Sequence, residues 1–412
     1  MAQNPQAQPA SPAGPEPAPS FSLLQPATAG ILTALVGFGS TFAVVIQGLA
    51  AVGATPAEAA SGLMMMCFAM AVLGLVFSLR LKMPVSVAWS TPGAALFAST
   101  GMVAGGFPAA VGAFIATGAI IVIAGMWKPL GRLAAAIPPS IANAMLAGVL
   151  LKLCLAPFAA VAIEPGLALA VIGVFIVVGR FARLYAVPAA LVAALVLLFA
   201  GSLTGHGGAG FDPAALALPR PALVMPVFTP EALIGIAIPL FLVTMASQNI
   251  PGLAVLSAFG YRPEAGPLFR GTGLASILIA PFGGMTINLA AITAAISAGP
   301  DAAADPARRY IAAAIAGVCY FGLGLLAFVA ATGFGGSPPL LIQVVAGLAL
   351  IGSFGSAMLA GLKDEADRPA ALVTFLFTAS GLSIAGIGPA FWGLAGGIAV
   401  LMLHGRLKRR HG

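Results

Sequence analysis

Charged residues are what this sequence has least of: 11 Asp and Glu and 18 Lys and Arg in 412 residues, 7% of the chain against 60% hydrophobic. That is too little polar material to cover a water-soluble globule, and a mean hydropathy of +1.07 puts the chain among polytopic membrane proteins. Cysteine is nearly absent. Cys67, Cys154 and Cys319 lie in apolar runs without the spacing of a metal site or a redox pair, so they read as small core residues that say nothing about compartment. No HExxH, GxSxG or paired intramembrane carboxylate is present, which removes the usual equipment of an intramembrane enzyme, and no cofactor or metal is expected. The lack of a P-loop excludes ATP-driven pumping by this chain alone.

Long polar segments are missing as well, except at the start. MAQNPQAQPASPAGPEPAPS has no apolar stretch from which to build a secretory signal, so residues 1–22 read as a disordered tail. Beyond residue 22 the chain is a near-continuous series of apolar segments long enough to cross about 30 Å of hydrocarbon. About fourteen begin near residues 27, 57, 84, 107, 138, 166, 185, 230, 265, 284, 308, 338, 369 and 388.

The loop charges support that phasing, because cytoplasmic loops carry the excess of Lys and Arg. Arg80 and Lys82, Lys128 and Arg132, Arg180 and Arg183, Arg262 and Arg270, Arg308 and Arg309, Lys363 and Arg368, and the tail Arg406, Lys408, Arg409 and Arg410 fall on one side; Lys152 and Arg220 do not. An even number of spans then puts both termini in the cytoplasm. The net charge of +7 is thus a topology signal and not a nucleic-acid footprint. The basic tail, residues 406–412, reads as an orientation and lipid-headgroup anchor.

Two string pairs repeat at an offset of about 200 residues: QGLAAVGATPAEAASGL with PGLAVLSAFGYRPEAGPL, and PSIANAMLAGVL with PPLLIQVVAGLAL. Seven spans per copy, an odd number, makes the second copy enter from the opposite side, an inverted repeat. The same offset links PVSVAWSTPGAALFAST, residues 84–100, to LIAPFGGMTINLAAITAAIS, residues 278–297. In the first, an alternating apolar stretch gives way to a helix start, with Thr91 expected as N-cap and Pro92 as the first helical residue. In the second, Pro281, Gly283 and Gly284 precede the polar Thr286 and Asn288 and then a helix-compatible run. Interrupted segments at matching places in inverted halves point to a binding site at mid-membrane, where two opposed helix N-termini would cradle an anion. The bland alternative is that both are kinked helices.

The densest polar cluster inside an apolar run is IPLFLVTMASQNIPGLAVL, with Thr244, Ser247, Gln248 and Asn249 ahead of Pro251. Pro251 should free a carbonyl one turn back. The equivalent first span carries Ser40, Thr41 and Gln47. Such side chains line a substrate path or hold helices together, and for Asn143 in IPPSIANAMLAGVLL the second reading is favoured.

PVSVAWSTPGAALFAS, IPPSIANAMLAGVLL, IPLFLVTMASQNIPGLAVL and APFGGMTINLAAITAAI together resemble the benzoate/proton symporters of the BenE family, over essentially all of the chain after the tail. The resemblance implies import of benzoate, or a related aromatic carboxylate, together with a proton across the bacterial inner membrane. It implies an all-α polytopic fold of about fourteen spans as seven-plus-seven inverted repeats, shared with nucleobase/ascorbate transporters and sulfate permeases, in which spans three and ten are each a short strand plus a half-helix. Residues 23–132 and 230–333 would form a core domain that holds substrate, and residues 133–229 and 334–405 a gate domain. The candidate substrate residues, from the two interrupted segments and the polar cluster, are Ser90, Thr91, Gly93, Ser247, Gln248, Asn249, Gly283, Gly284, Thr286 and Asn288, with Ser40, Thr41 and Gln47 as further lining.

The sequence departs from the nucleobase transporters, whose spans eight and ten carry acids, by having Ser247, Gln248 and Thr286 to Asn288 there. Neutral donors suit a carboxylate substrate, since a buried Glu beside it would set like charges together. The departure leaves the proton carrier open. Glu58, after Pro56, is the nearest acid to a span, and His206 is the one histidine away from the C-terminal end, where His404 and His411 lie, although both suit a watery membrane edge; alternatively the substrate loads as the neutral acid. A channel-like or exchanging permease of the sulfate-permease type is the alternative function. The oligomeric state stays open, a homodimer included.

Overall fold

The computed structural model describes residues 23–127, 138–203, 220–290, 292–327, 339–385 and 387–411. The N-terminal tail, His206, Lys128 and Arg132 lie outside the described residues. Helices α1 (Leu24–Ala51), α2 (Pro56–Leu81), α3 (Thr91–Thr100), α4 (Gly106–Met126), α5 (Pro139–Ile163), α6 (Pro165–Phe181) and α7 (Ala186–Leu203) make up the first half. The second half contains α8 (Pro230–Ala258), α9 (Ala265–Ile279), α10 (Ile292–Ala298), α11 (Tyr310–Leu325), α12 (Pro339–Gly361), α13 (Arg368–Ala379) and α14 (Pro389–His411). Strands β1 (Val87–Trp89) and β2 (Ile287–Leu289) precede α3 and α10.

Six of these helices, α1, α2, α4, α5, α8 and the 343–361 part of α12, are long and apolar enough to cross a membrane. At 1.5 Å per residue the ten residues of α3 span about 15 Å and the seven of α10 about 10 Å, so neither crosses by itself. Helix length alone therefore does not carry the expected fourteen crossings.

The helix starts follow local chemistry. Thr55 and Glu58 form a capping box before α2, with Pro56 at the first helical position: the Thr55 Oγ1 accepts the Glu58 N–H, and the Glu58 carboxylate accepts the Thr55 N–H at 2.8 Å. Thr229 caps α8 ahead of Pro230 without the reciprocal bond, its Oγ1 accepting the Ala232 N–H at 3.2 Å. Helix packing relies on small residues, as it must where lipid supplies no hydrophobic drive between helices. Helix α2 lies along α11, and α4 along α9. At the second crossing, a Cβ on Gly273 would stand 2.7 Å from the Gly118 carbonyl oxygen and one on Gly118 would stand 2.9 Å from that of Gly273. Helix α5 packs chiefly against α12 and α13, and α13 against α14.

The two strands pair antiparallel at the centre of α1–α4 and α8–α11, in the register Val87↔Leu289, Ala88↔Asn288 and Trp89↔Ile287. Serines on the flanking helices close the outer edges. Ser78 of α2 donates to the Val85 carbonyl, and Ser276 of α9 accepts the Ile287 N–H at 2.9 Å. Unpaired main-chain groups are intolerable in a dry interior, so these contacts let irregular backbone persist there.

One expected topology charge proves to be structural. Arg309 is buried, and its guanidinium donates to the carbonyls of Ala298 at 2.8 Å and Ala303 at 2.9 Å. It therefore sits on the C-terminal end of α10, where a cation satisfies the last carbonyls and the negative end of the helix dipole.

Candidate functional site

Helix α3 begins one residue earlier than the sequence suggested. Ser90, not Thr91, is the N-cap: it is extended (φ −81°, ψ 90°) and its Oγ accepts the Gly93 N–H at 3.1 Å, leaving Thr91 and Pro92 as the first two helical residues. The same Oγ accepts from Thr244 Oγ1 of α8 at 2.9 Å, so one buried hydroxyl ties the helix start to α8. Proline has no N–H, the Gly93 N–H is capped and the Ala94 N–H bonds the Ser90 carbonyl. Only the Thr91 N–H of that first turn is left for anything else, so the expected cradle of several free donors is reduced to one at α3.

Gly93 packs tightly against α8: a Cβ there would meet the Leu240 side chain and stand 2.9 Å from Ser90 Oγ. Its smallness brings α3 against α8 and does not open space beside the helix start. Gly283 and Gly284 lie apart from this place. They precede β2, whereas α10 begins after it, and Gly283 (φ 83°) touches α2, where a Cβ would be 2.7 Å from the Glu58 carbonyl oxygen. The break in the second segment is thus the strand, several residues beyond the glycine pair. Glu58 is engaged in its capping box at the start of α2.

Helix α8 widens twice, at Leu233–Ala237 and Met245–Asn249, and each π-turn ends directly before an Ile-Pro pair, Ile238-Pro239 and Ile250-Pro251. A proline lacks the N–H and its ring crowds the carbonyl one turn back, and a π-turn relieves that crowding. The second widening presents Ser247 and Gln248, both half-buried, while Ser247 Oγ donates back to the Val243 carbonyl at 2.6 Å. Asn249 is fully buried and faces the ladder. Its Oδ1 accepts the Leu289 N–H at 2.9 Å and its Nδ2 points at Met245 Sδ, 3.3 Å away. It anchors β2 to α8.

Helix α1 adds Thr41, which donates to the Gly37 carbonyl and accepts the indole N–H of Trp89 at 3.0 Å, and Ser40, which donates to Val36. Gln47 brings a buried Oε1 with no partner. Around Thr41 stands an aromatic cluster that the sequence reading passed over: Phe38 stacks on Phe42 at 5.2 Å and meets Trp89 edge-on at 5.8 Å. Phe38 and Phe42 are one helical turn apart and flank Ser40 and Thr41, a spacing that could have marked them. Thr286, just ahead of β2, and Asn288 on it are buried, and Asn288 Nδ2 donates to the Leu289 carbonyl at 2.9 Å. Asn143 donates from Nδ2 to the Pro139 carbonyl one turn back in its own helix at 2.7 Å.

The structure thus brings Ser90, Asn249, Thr286 and Asn288 together around the ladder, and links Thr41 to it through Trp89. It leaves Gly283, Gly284 and Glu58 at the start of α2. The gathered groups are hydroxyls, amides and aromatic rings with no charged side chain among them, suited to holding a small ring-bearing molecule through a few hydrogen bonds.

Comparison with known proteins gives a consistent picture. Residues 21–403 match the BenE family, described as benzoate membrane transport protein. The inner membrane protein YdcO of Escherichia coli (strain K12) is 39% identical over 386 residues, 93% of this chain and 97% of that protein. A benzoate membrane transport protein of Acinetobacter baylyi (strain ATCC 33305 / BD413 / ADP1) is 30% identical over 376 residues, 90% of this chain and 92% of that one. Among solved structures, the transmembrane domain of the cyanobacterial bicarbonate transporter BicA aligns with a TM-score of 0.58 at 16% identity, covering 93% of this chain and 96% of that one. SLC26A9 aligns with a TM-score of 0.62 at 13% identity, covering 95% and 67%. At these identities the last two establish the fold alone.

Proposed function

The chain belongs to the BenE family and is a membrane transporter, not an enzyme; from that premise we propose that it imports benzoate or a related aromatic carboxylate together with a proton across the bacterial inner membrane. The observation that carries the reading is the family match over residues 21–403, joined by a relative named for benzoate transport. The inner-membrane setting takes its support from the relative YdcO. The site adds chemistry that fits: uncharged hydrogen-bonding groups on one face of the ladder and, on its Trp89 face, the Thr41 hydroxyl with the Phe38 and Phe42 rings, the kinds of group that suit a flat aromatic ring carrying one polar head. In this reading the substrate lies between the starts of α3 and α10 and the Gln248 turn of α8.

The proposed architecture is fourteen spans in two inverted halves, with the third and tenth interrupted. The ladder supports it. Ala88 and Asn288, which the 200-residue offset equates, are cross-strand partners, and antiparallel pairing of equivalent residues is what a two-fold axis between inverted copies would produce. The glycine crossings agree, since Gly118 and Gly273 between α4 and α9 recur, at an offset of 199, as Gly317 and Gly74 between α11 and α2. Helices α1–α4 and α8–α11 then form the substrate-holding core, and α5–α7 and α12–α14 the gate.

Uptake of labelled benzoate into proteoliposomes tests the reading. An imposed gradient, acid outside, should accelerate uptake. Uptake indifferent to the gradient would remove proton coupling, and competition by sulfate as strong as by unlabelled benzoate would favour the exchanger of sulfate-permease type.

A further inference from the structure

The two-stranded ladder at the centre of the protein alternates with period two, as a strand must when its faces meet different surroundings. Val85, Val87, Trp89, Met285, Ile287 and Leu289 share one face. The other carries Ser86, Ala88 and Ser90 on one strand and Thr286, Asn288 and Ala290 on the next. Ser86, Ser90, Thr286 and Asn288 are all more than nine-tenths buried, and three of them keep a polar atom without a partner: Ser86 Oγ, Thr286 Oγ1 and Asn288 Oδ1. Ala88, directly across from Asn288, is only half-buried, so the face is not sealed. A buried unsatisfied group costs roughly 1–3 kcal/mol, and a stripe of three calls for an occupant.

The kind of atom left over identifies the occupant. Asn288 cannot be turned around, because its other amide atom faces the Leu289 carbonyl at 2.9 Å and must be the N–H donor. The atom without a partner is therefore an amide oxygen, which only accepts. Gln47 Oε1 is a second such oxygen. The Ser86 and Thr286 hydroxyls can donate or accept, so the demand of the site is fixed by Asn288 Oδ1, which needs a donor that a carboxylate anion does not have. A carboxylic acid supplies that O–H, and its carbonyl oxygen can take a hydroxyl donor.

Resting on the reading of the chain as an aromatic carboxylate transporter, we propose that the substrate is bound as the neutral acid, its carboxyl O–H donating to Asn288 Oδ1, so that the coupled proton travels on the substrate and no side chain of the protein carries it. The proton enters on the carboxyl and leaves with it, one per substrate, and the protein's own protonation is unchanged through the cycle. The surroundings of β2 agree. Helices α2, α8 and α9 and strand β1 pack against it. Their charged residues, Glu58 and Arg80 on α2, Glu231 on α8 and Arg270 on α9, stand in the first or last turns or on exposed positions, and Cys67 is the one other titratable group these elements hold. None offers a carboxylate or imidazole at the ladder.

Binding of benzoate to the purified wild-type protein, measured from pH 5 to pH 8, tests this. If only the acid binds, the fraction of competent ligand falls about tenfold per pH unit above a carboxyl pKa of about 4, and the apparent Kd rises about tenfold per unit without levelling. Benzamide, which keeps a donor and has no charge, should compete with an affinity independent of pH. Benzenesulfonate, an anion at every pH, should not compete. Asn288→Leu should weaken benzamide and low-pH benzoate about tenfold, and the wild-type pH series decides the question even if that variant fails to fold. A flat pH series, a plateau revealing a titrating protein group, competition by benzenesulfonate, or benzoate affinity that rises with sodium at fixed pH would each overturn the proposal while leaving benzoate transport standing. Absence of aromatic carboxylate binding at every pH would overturn both.

Discussion

At the scale of single residues, neighbours in the string MASQN take separate tasks. Asn249 points into the core and holds the Leu289 N–H, whereas Gln248 is half-buried one position earlier, on the widened turn. Asn249→Ala should strand that N–H and lower stability by about 1–3 kcal/mol, read as a fall in the thermal midpoint of the detergent-solubilised protein. Gln248→Ala should leave the midpoint unchanged and weaken benzoate binding about tenfold, the loss of about 1.4 kcal/mol. Equal effects of the two substitutions on stability would contradict this division. The sequence made both residues visible, since four polar residues inside an apolar run are conspicuous, but it did not separate them. Their direction depends on a π-turn, and a shift of one residue in helical register turns a side chain by about 100°. Ser90 was misread for a related reason: Thr91 and Ser90 are both good caps, and only the strand pairing of Ser90 with Thr286 selects between them.

At the scale of elements, close approach decides what the glycines do. The sequence reading valued Gly283 and Gly284 for a ligand, yet the backbone of α2 occupies that space: a Cβ on Gly62 would run into the Gly283 carbonyl oxygen, and Gly283 already has the left-handed φ that disfavours other residues. Gly62→Ala should therefore force α2 away from the segment leading into β2 and lower yield and thermal midpoint, with no substrate present. Gly39→Ala, on a helix face with open space around the glycine, should be silent on stability. A tolerated Gly62→Ala with a damaging Gly39→Ala would reverse the assignment. The existence of β1, α3, β2 and α10 was legible in period-two alternation, a capping residue and a repeated grammar. Their partners were not, because tertiary proximity leaves no trace in one sequence: nothing in LIAPFGG says that it meets Glu58 and Gly62, and nothing in DPARRY says that Arg309 folds back onto the end of α10.

At the scale of the whole molecule, the contacts between element ends bear on how the chain sits in the membrane. Gln25 reaches the Pro300 carbonyl, Lys82 reaches Tyr310, Tyr261 reaches Pro306 and Ser140 reaches Asp367, and all eight positions belong to the side to which the loop charges assign the cytoplasm. Val224 bonds to Pro281, Val227 to Pro108 and Ser61 to Phe282, and these six belong to the opposite side. No pair of these crosses from one set to the other. A slip of one span anywhere between Gln25 and Asp367 would exchange the sides of every later end and break this sorting, so up to the start of α13 the packing agrees with the phasing that the positive-inside rule proposes. Labelling decides it in cells. With Cys67, Cys154 and Cys319 replaced, Met102→Cys between α3 and α4, where the side chain is 73% exposed, should react with a membrane-impermeant maleimide added outside. Arg262→Cys, exposed between α8 and α9, should react only after the membrane is permeabilised. The reverse pattern would invert the protein in the membrane. Outside labelling at both positions would break the seven-plus-seven arrangement, because that arrangement puts an odd number of crossings, α4 to α8, between them.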